Sequence, residues 1–445
     1  MREEAAEEIA DHAALFGPDA VVRTQSCTAG HGVMRKLRRM NEWQGHAAAT
    51  AGHGGLLFAP ASLYPRPTAF LVDTTGTPLH SWSHSAHQPD PDDNPPKNLR
   101  GWNHVEIDAE GNLYAIVPLQ ALLKLTPGSS LTWSADVSAH HDLVVDQSGA
   151  VLVLGETPRL VTVDDVPLVV LDNLVTQVDV HTGAVVVETS LWDVLRTDPE
   201  LRRRIERSAL MRRDRFTASG WPGTCTDLTR SVVDETLELF STGSYRGDRR
   251  QSLSRLRRLP ESPCDVLHTN TLELLAEHPA GLWLHGDILV CMRELNTIAV
   301  VDLAHGTVRW QWGVGSISGP QQPSMLPDGR ILVFDNGVAN RRSRVVIVDP
   351  VTREVVWSWT ANPPESFFCP LAGGCELLSN GNVLVTNSAA GAAFELTPDK
   401  QINWELTLPI DAYGPDRGRV SIYRMSGVRP DVVTRLTRGH DRAVP

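Results

Sequence analysis

Histidine is the side chain that can give or take a proton near neutral pH with only small shifts from its environment. Several histidines in this chain stand just ahead of apolar stretches. His104 follows Asn103 in Trp102-Asn103-His104-Val105, His140 and His141 lead into Asp142-Leu143-Val144-Val145, and His268 begins His268-Thr269-Asn270. Counting back eight residues from the next turn glycine lands on Asn103 (from Gly111), His141 (from Gly149) and Gln321 (from Gly329). One position further on lie His104, Asp142 and Gln322. Polar groups at one such level must be satisfied by one another, by water or by a ligand. His268 and Asn270 alternate on a strand and so share a face, and Arg293 adds a permanent charge whose forked donors suit an oxyanion.

Three chemistries are open to this set. In the first, His141 and His268 act as general acid and base without a cofactor, while Asn103, His104, His140, Asn270, Arg293 and Gln322 hold a small aromatic or anionic substrate. In the second, the imidazoles of His104, His140, His141 and His268 converge on a divalent metal ion, although their spacing matches no linear metal motif. In the third, the residues capture a ligand without turning it over.

The elements that must position these residues come from an internal repeat. A turn ending in glycine followed by an apolar strand recurs at Gly111-Asn112-Leu113-Tyr114, Gly149-Ala150-Val151-Leu152 and Gly286-Asp287-Ile288-Leu289. It returns at Gly329-Arg330-Ile331-Leu332 and Gly381-Asn382-Val383-Leu384, with a weaker first copy at Gly54-Gly55-Leu56-Leu57. Most copies are followed by a second hairpin whose last strand carries tryptophan, as in Val301-Asp302 through Gly306 to Trp310 and Trp312. Two hairpins make a four-stranded blade. Where copies are uninterrupted the glycines stand 43 residues apart (286 to 329) and 52 apart (329 to 381), near the blade spacing of propellers. An all-β, six-bladed β-propeller spanning residues 53–445 is therefore expected, its polar residues lining a central channel that takes a small molecule. The twelve tryptophans read as packing between blades.

Residues 191–259 break the strand pattern with helical stretches at Leu195 to Arg213 and Thr229 to Phe240. They read as an insertion capping one mouth of the channel. Its arginines, among them Arg202, Arg203, Arg204, Arg207, Arg212 and Arg213, read as a solvated helical face with a subset that could steer anions. Residues 1–52 form an N-terminal extension, helical around Val33 to Trp43.

Whole-chain properties narrow the class. The 445 residues carry 41% hydrophobic and 21% charged side chains with 34 Gly and 30 Pro, a globular composition rich in turns. A formal net charge of -12 argues against nucleic acid or an anionic membrane as partner. No stretch reaches the roughly 18 apolar residues of a membrane span. The start of the chain is acidic, without the basic and apolar regions of a secretory signal. Six scattered cysteines with no CxxC fit reduced thiols, Cys369 and Cys375 included, and a cytoplasmic location is expected.

Taken in order, Trp102-Asn103-His104-Val105-Glu106, His140-His141-Asp142-Leu143, His268-Thr269-Asn270, Arg293, the run from Leu326-Pro327-Asp328-Gly329 to Phe334-Asp335-Asn336-Gly337, Ser343-Arg344 and Leu378-Ser379-Asn380-Gly381-Asn382 resemble the PAPS-independent arylsulfotransferase family. The resemblance covers nearly the whole chain, from Gly54 to Tyr423-Arg424. It implies a six-bladed propeller in which a central histidine takes sulfate from a phenolic ester as a covalent sulfohistidine and passes it to a second phenol. It also implies that His141, His268, Asn270 and Arg293 are the retained anion-binding and acid/base set. The departure is at the nucleophile. Where the family reads Gln-His-Asp-Pro, this chain reads Pro320-Gln321-Gln322-Pro323. A carboxamide nitrogen has its lone pair delocalised into the carbonyl, so Gln321 closes the sulfohistidine route, and the retained histidines imply another reaction. Gly391-Ala392-Ala393 also lacks an arginine that related sequences carry after the glycine.

Overall fold

Asp108 shows how the repeat becomes a hairpin. Its carboxylate accepts from the Glu110 and Asn112 amides at 3.1 and 2.8 Å, while Gly111 takes a φ of 85° that closes the turn. Asp side chains that bond their own backbone two residues on, followed by a left-handed glycine, make such turns stable. Glycine is needed here for space too, since a Cβ at Gly111 would lie 2.6 Å from Leu436 of the C-terminal helix.

The computed structural model describes residues 44–45, 54–60, 67–86, 101–146, 150–219, 253–254, 256–259, 261–408 and 422–438. The expected helices around Val33 to Trp43 and Thr229 to Phe240 lie outside these residues.

Six antiparallel sheets follow one another along the chain. Blade 2 is Val105–Ile107, Leu113–Val117, Ala121–Leu125 and Leu131–Ala135; blade 3 is Ala139–Val145, Ala150–Val163, Val166–Asp179 and Val185–Ser190. Blade 4 is Thr269–Leu274, Ile288–Met292, Thr297–Asp302 and Thr307–Trp312; blade 5 is Pro320–Met325, Ile331–Asp335, Arg344–Asp349 and Glu354–Thr360. Blade 6, Gly374–Leu377 to Ile402–Thr407, gains Gln44–Gly45 as a fifth, outer strand. Blade 1 closes the ring. Its strands Gly55–Pro60, Thr68–Val72 and Pro78–Ser83 pair with the C-terminal strand Ile422–Val428, in the register Leu57↔Ser426 and Phe58↔Met425. Joining the two ends of the chain in one blade lets a propeller close without a free sheet edge at the seam.

The core is a set of wedges between blades. Trp310 and Trp312 of blade 4 pack on Ile331, Val333, Val346 and Val348 of blade 5. Tyr114, Ile116 and Trp133 of blade 2 meet Val151, Val153 and Val178 of blade 3, and Trp359 and Phe334 meet Val385 and Phe394 across the next seam. The indole N–H of Trp133 donates to the Val180 carbonyl at 2.9 Å, that of Trp310 to Pro350 at 3.0 Å, and that of Trp312 to Arg353 at 3.0 Å. These tryptophans are architectural, as their spacing implies.

The insertion after blade 3 begins with α1 (Leu191–Leu195) and α2 (Pro199–Ala218). The sequence reading ran one helix from Leu195 through Arg213. The break comes from Asp198-Pro199: Asp198 caps α2 by accepting from the Glu200 and Leu201 amides, and Pro199 can occupy only a first turn. α2 buries Leu201, Ile205, Ala209 and Phe216, the four- and seven-residue steps of one helical face. Its arginines divide differently from either simple reading. Arg202, Arg203 and Arg207 are exposed. Arg204 donates to the Leu295 carbonyl and Thr297, and Arg212 pairs with Glu294 at 2.5 Å, fastening the helix to blade 4. A C-terminal helix α3 (Pro430–Thr437) packs Val432, Val433 and Leu436 over the seam of blades 1 and 2. No helix among the described residues is long and apolar enough to cross a membrane, and the described cysteines, Cys264, Cys291, Cys369 and Cys375, are buried free thiols.

Candidate functional site

The first strands of blades 2 to 6 and the closing strand of blade 1 line the channel, each touching the next in turn from blade 2 round to blade 1. Their registers coincide. Glu106, Val144, Glu273, Ser324, Glu376 and Ser426 each pair with the residue three past a turn glycine. Two residues earlier on the same inner face lie His104, Asp142, Thr271, Gln322, Gly374 and Arg424. At this second level the ladder is interrupted in blades 1, 3, 4 and 5, by shifts opposite Phe58/Pro60 and Val153/Gly155 and within Thr269/Leu272 and Gln321/Ser324. Such bulges re-aim side chains and free backbone groups. The residues there take left-handed backbone angles, with φ of 61° at His141, 47° at His268 and 40° at Gln322. None is glycine, so surrounding contacts must hold them.

Those contacts run from blade to blade. Asp142 Oδ2 accepts from Leu272 N at 2.9 Å, Thr271 Oγ1 from Gln322 N at 3.0 Å, and Asn173 Oδ1 from Thr269 N at 2.8 Å. Arg424, on the closing strand, reaches Asp142 Oδ1 at 2.8 Å with both side chains almost fully buried. His104 Nε2 lies 3.4 Å from the same oxygen and 3.4 Å from Glu106. Burial and the nearby Arg424 push the His104 pKa down to about 3, against the pull of Asp142. His104 is thus part of a polar floor across the channel.

Above that floor the rings of His141 and His268 stand 5.0 Å apart, Tyr423 stacks on His141 at 5.5 Å and 17°, and His140 meets His141 edge-on at 4.9 Å. His268 is anchored by Asp265, whose Oδ2 lies 2.6 Å from Nδ1. Burial disfavours the Asp265 charge, but His268, Arg257 and Arg212 outweigh it and hold the carboxyl well below the usual range. His141 is held neutral. Burial comes first, then the like-charge influence of His140, His268, Arg257 and Arg424. Burial likewise pushes His140 down to about 4, although its Nε2 lies 3.1 Å from the Gly155 carbonyl and 3.9 Å from Glu156.

The remaining residues expected from the sequence are placed as follows. Asn103 sits 3.5 Å from His141 Nδ1. Asn270 donates to the Pro320 carbonyl at 2.9 Å and accepts from Thr271 at 3.0 Å. Arg293 gives Nη1 to Glu294 at 2.5 Å and Nη2 to the Pro370 carbonyl at 3.0 Å. Gln321 is buried beside Pro320, and Gln322 covers Gly374, where a Cβ would meet its Oε1 at 1.8 Å. The four histidines considered for a metal divide, His104 with Asp142 and Glu106, the other three together. Among the described residues no three His, Cys, Asp or Glu side chains are disposed to hold a metal ion.

Several groups make no hydrogen bond among the described residues although their atoms are buried: Arg293 Nε, Arg424 Nε, Tyr423 OH, Gln321 Oε1, Gln322 Oε1 and His140 Nδ1. Buried polar atoms are rarely left unsatisfied, and this set belongs to residues on the channel strands and the turn after Met292. Sequence reasoning missed Asp265, Glu156, Arg257 and the part played by Tyr423 and Arg424. Asp265 alone had a readable signal, three residues ahead of His268. Arg257 lies in the insertion, and nothing in its spacing tied it to blade 3.

No curated protein matches the chain. Among solved structures, a protein of unknown function from Bacteroides caccae aligns at 10% identity and a TM-score of 0.47, over 84% of this chain and 99% of its own. A streptogramin B lyase structure aligns at 9% and 0.40 over 86% and 97%, and an inactive virginiamycin B lyase from Staphylococcus aureus, solved with quinupristin, at 8% and 0.39 over 83% and 90%. The sequence profile of the arylsulfotransferase (ASST) family matches residues 105–408, from the first strand of blade 2 to the end of blade 6. With that span covering well over half of the chain, this propeller belongs to the arylsulfotransferase (ASST) family.

Proposed function

We propose that the chain is an arylsulfotransferase-family enzyme that performs general acid/base chemistry, without a sulfohistidine, on a small aromatic or anionic metabolite in the channel. The observation that carries this reading is the 2.6 Å contact between Asp265 and His268 Nδ1. A carboxylate on Nδ1–H fixes the tautomer, leaves the Nε2 lone pair free to take a proton and stabilises the imidazolium that results. Gln321, at the place of the family's nucleophile, has no basic nitrogen to offer. His141 is a neutral neighbour of the base. Tyr423, its phenol kept protonated by burial, has a hydroxyl free to donate, and Arg293 Nε–H and Arg424 Nε–H are free to meet negative charge. The reduced, buried thiols of the described cysteines fit a cytoplasmic setting, which is part of the same proposal.

The test begins with turnover of a panel of aryl sulfates, aryl phosphates and aromatic carboxylates by the wild-type protein. His268→Ala is expected to lower turnover of any hit by about a hundredfold or more, the scale of a lost general acid or base, and Asp265→Asn to lower it while leaving KM nearly unchanged. Near wild-type turnover in His268→Ala refutes the assignment.

A further inference from the structure

The segment between blades 3 and 4 sends one arginine into the histidine cluster. Arg257 forms a two-pronged pair with Glu156 of blade 3, Nε to Oε1 at 2.8 Å and Nη2 to Oε2 at 2.6 Å. Glu156 has no solvent exposure. A bidentate pair of this kind fixes the plane of the guanidinium as well as its position. The remaining prong, Nη1, lies 3.5 Å from His141 Nε2.

We infer that Arg257 is a positioning residue, held by Glu156, that fixes His141 as its Nδ1–H tautomer. Arginine has only N–H groups to offer, so a contact with Nε2 requires the lone pair to be there. A neutral imidazole then carries its hydrogen on Nδ1, which faces the Asn103 carboxamide at 3.5 Å. The amide must turn its oxygen toward the ring, and which way an amide points is itself set by the network. Every other group that faces His141 agrees with a neutral ring: His140 and His268 at 4.9 and 5.0 Å, the Tyr423 ring stacked on it, and Arg424 behind Tyr423. A protonated His141 would turn an N–H toward Arg257. The proposal rests on the acid/base reading for its purpose, since a locked, neutral His141 leaves His268 as the ring that carries the proton. Its test does not depend on turnover.

The experiment is a long-range 1H–15N correlation on the full chain labelled at histidine nitrogen, with His141 assigned through His141→Gln. In the wild type, His141 is expected as a single tautomer, Nδ1 protonated and Nε2 bare. In Arg257→Met, and in Arg257→Met combined with Glu156→Gln so that no buried carboxylate is stranded, that single tautomer is expected to be lost, with both nitrogens showing intermediate shifts. A role for Arg257 in fastening the inserted segment alone would leave the ring unmoved. Finding Nε2 protonated in the wild type, or the same single tautomer in the folded double variant, overturns the inference. If the tautomer responds while His268→Ala keeps its turnover, the acid/base reading fails and this one stands.

Discussion

Removing the Asp142 side chain should strand groups on three blades at once. Its two oxygens accept from Arg424 Nη1 at 2.8 Å, Leu272 N at 2.9 Å and Leu143 N at 3.1 Å, which ties blades 1, 3 and 4 together. The Arg424 and Asp142 side chains are 4% and 3% exposed, so water cannot replace the lost partner. Breaking such a pair from one side costs about 3–5 kcal/mol, and leaving the Leu272 amide unpaired adds about 1–3 kcal/mol. The terms overlap, so Asp142→Ala is expected to cost at least about 4 kcal/mol. Replacing both charges by apolar groups removes the stranded cation. Asp142→Ala with Arg424→Met should therefore be more stable than Asp142→Ala alone by about 2 kcal/mol. Guanidinium unfolding of wild type, both single variants and the double variant, followed by tryptophan fluorescence, measures this cycle. A loss below 1 kcal/mol in Asp142→Ala, or no recovery in the double variant, would show that the polar floor does not hold the blades together.

Other outcomes follow from the same geometry. Incubation with an aryl sulfate should give no sulfate adduct by intact-mass spectrometry and no exchange to a second phenol, because Gln321 lacks a nucleophilic nitrogen; an adduct on the wild-type chain contradicts this. Burial raises Glu106 and Glu376 to about 7 and Glu273 to about 8 from 4.5, tempered by the partial exposure these side chains keep. Groups with raised folded pKa values lend stability that is fully present below about 4.5 and is lost as pH rises through 7 to 8. The melting temperature should thus fall as pH rises from about 4.5 to 8, and Glu273→Gln should flatten that fall; an unchanged slope refutes it. Gly337→Ala should destabilise the protein by several kcal/mol, about 3 or more, since its φ is 63° and a Cβ would lie 1.7 Å from the Arg342 carbonyl; thermal unfolding measures it.

The architecture was legible because it is written as repetition. The apolar strands after the turn glycines and the tryptophan strands fall where the blades require them, whereas the shared offset to Asn103, His141 and Gln321 lands one residue before the inner-face level of His104, Asp142 and Gln322. What escaped was everything that depends on the ring being closed. Arg424 and Tyr423 come to face His141 and Asp142 only because the last strand joins the first three in blade 1, a pairing between residues more than 350 positions apart. Glu156 sits in what reads as an ordinary alternating strand, and its partner Arg257 belongs to a segment without strand periodicity. The extent of α2 was misread because Asp198-Pro199 was passed over as a start signal. Arg293 looked like a free anion binder, whereas Glu294 beside it and the distant Pro370 carbonyl take two of its prongs.

Among the channel residues, the structure separates those that latch blades together from those with polar atoms left over. At the lower level Glu273 accepts from Met325 N at 3.0 Å and Glu376 from Gly427 N at 3.1 Å, each glutamate latching the strand of the following blade. Asp142 and Thr271 do the same one level up, and Asn270 is spent on Pro320. Residues so engaged cannot turn to a substrate without opening a seam, which argues that Asn270 and Asp142 shape the site from behind. Among the described channel residues, the base and donors with an uncommitted polar atom are His268 through Nε2, Tyr423 through its hydroxyl, and Arg293 and Arg424 through Nε, while Gln321 and Gln322 each leave a carbonyl oxygen unpaired and His140 its Nδ1. A base, a neutral donor and two cationic donors are the parts needed to move a proton on an anionic or phenolic compound. They lie on strands and turns from blades 1 and 4, so a ligand touching them all would bridge the ring. That is why the proton-transfer reading follows from the uncommitted groups and not from the number of histidines in the channel.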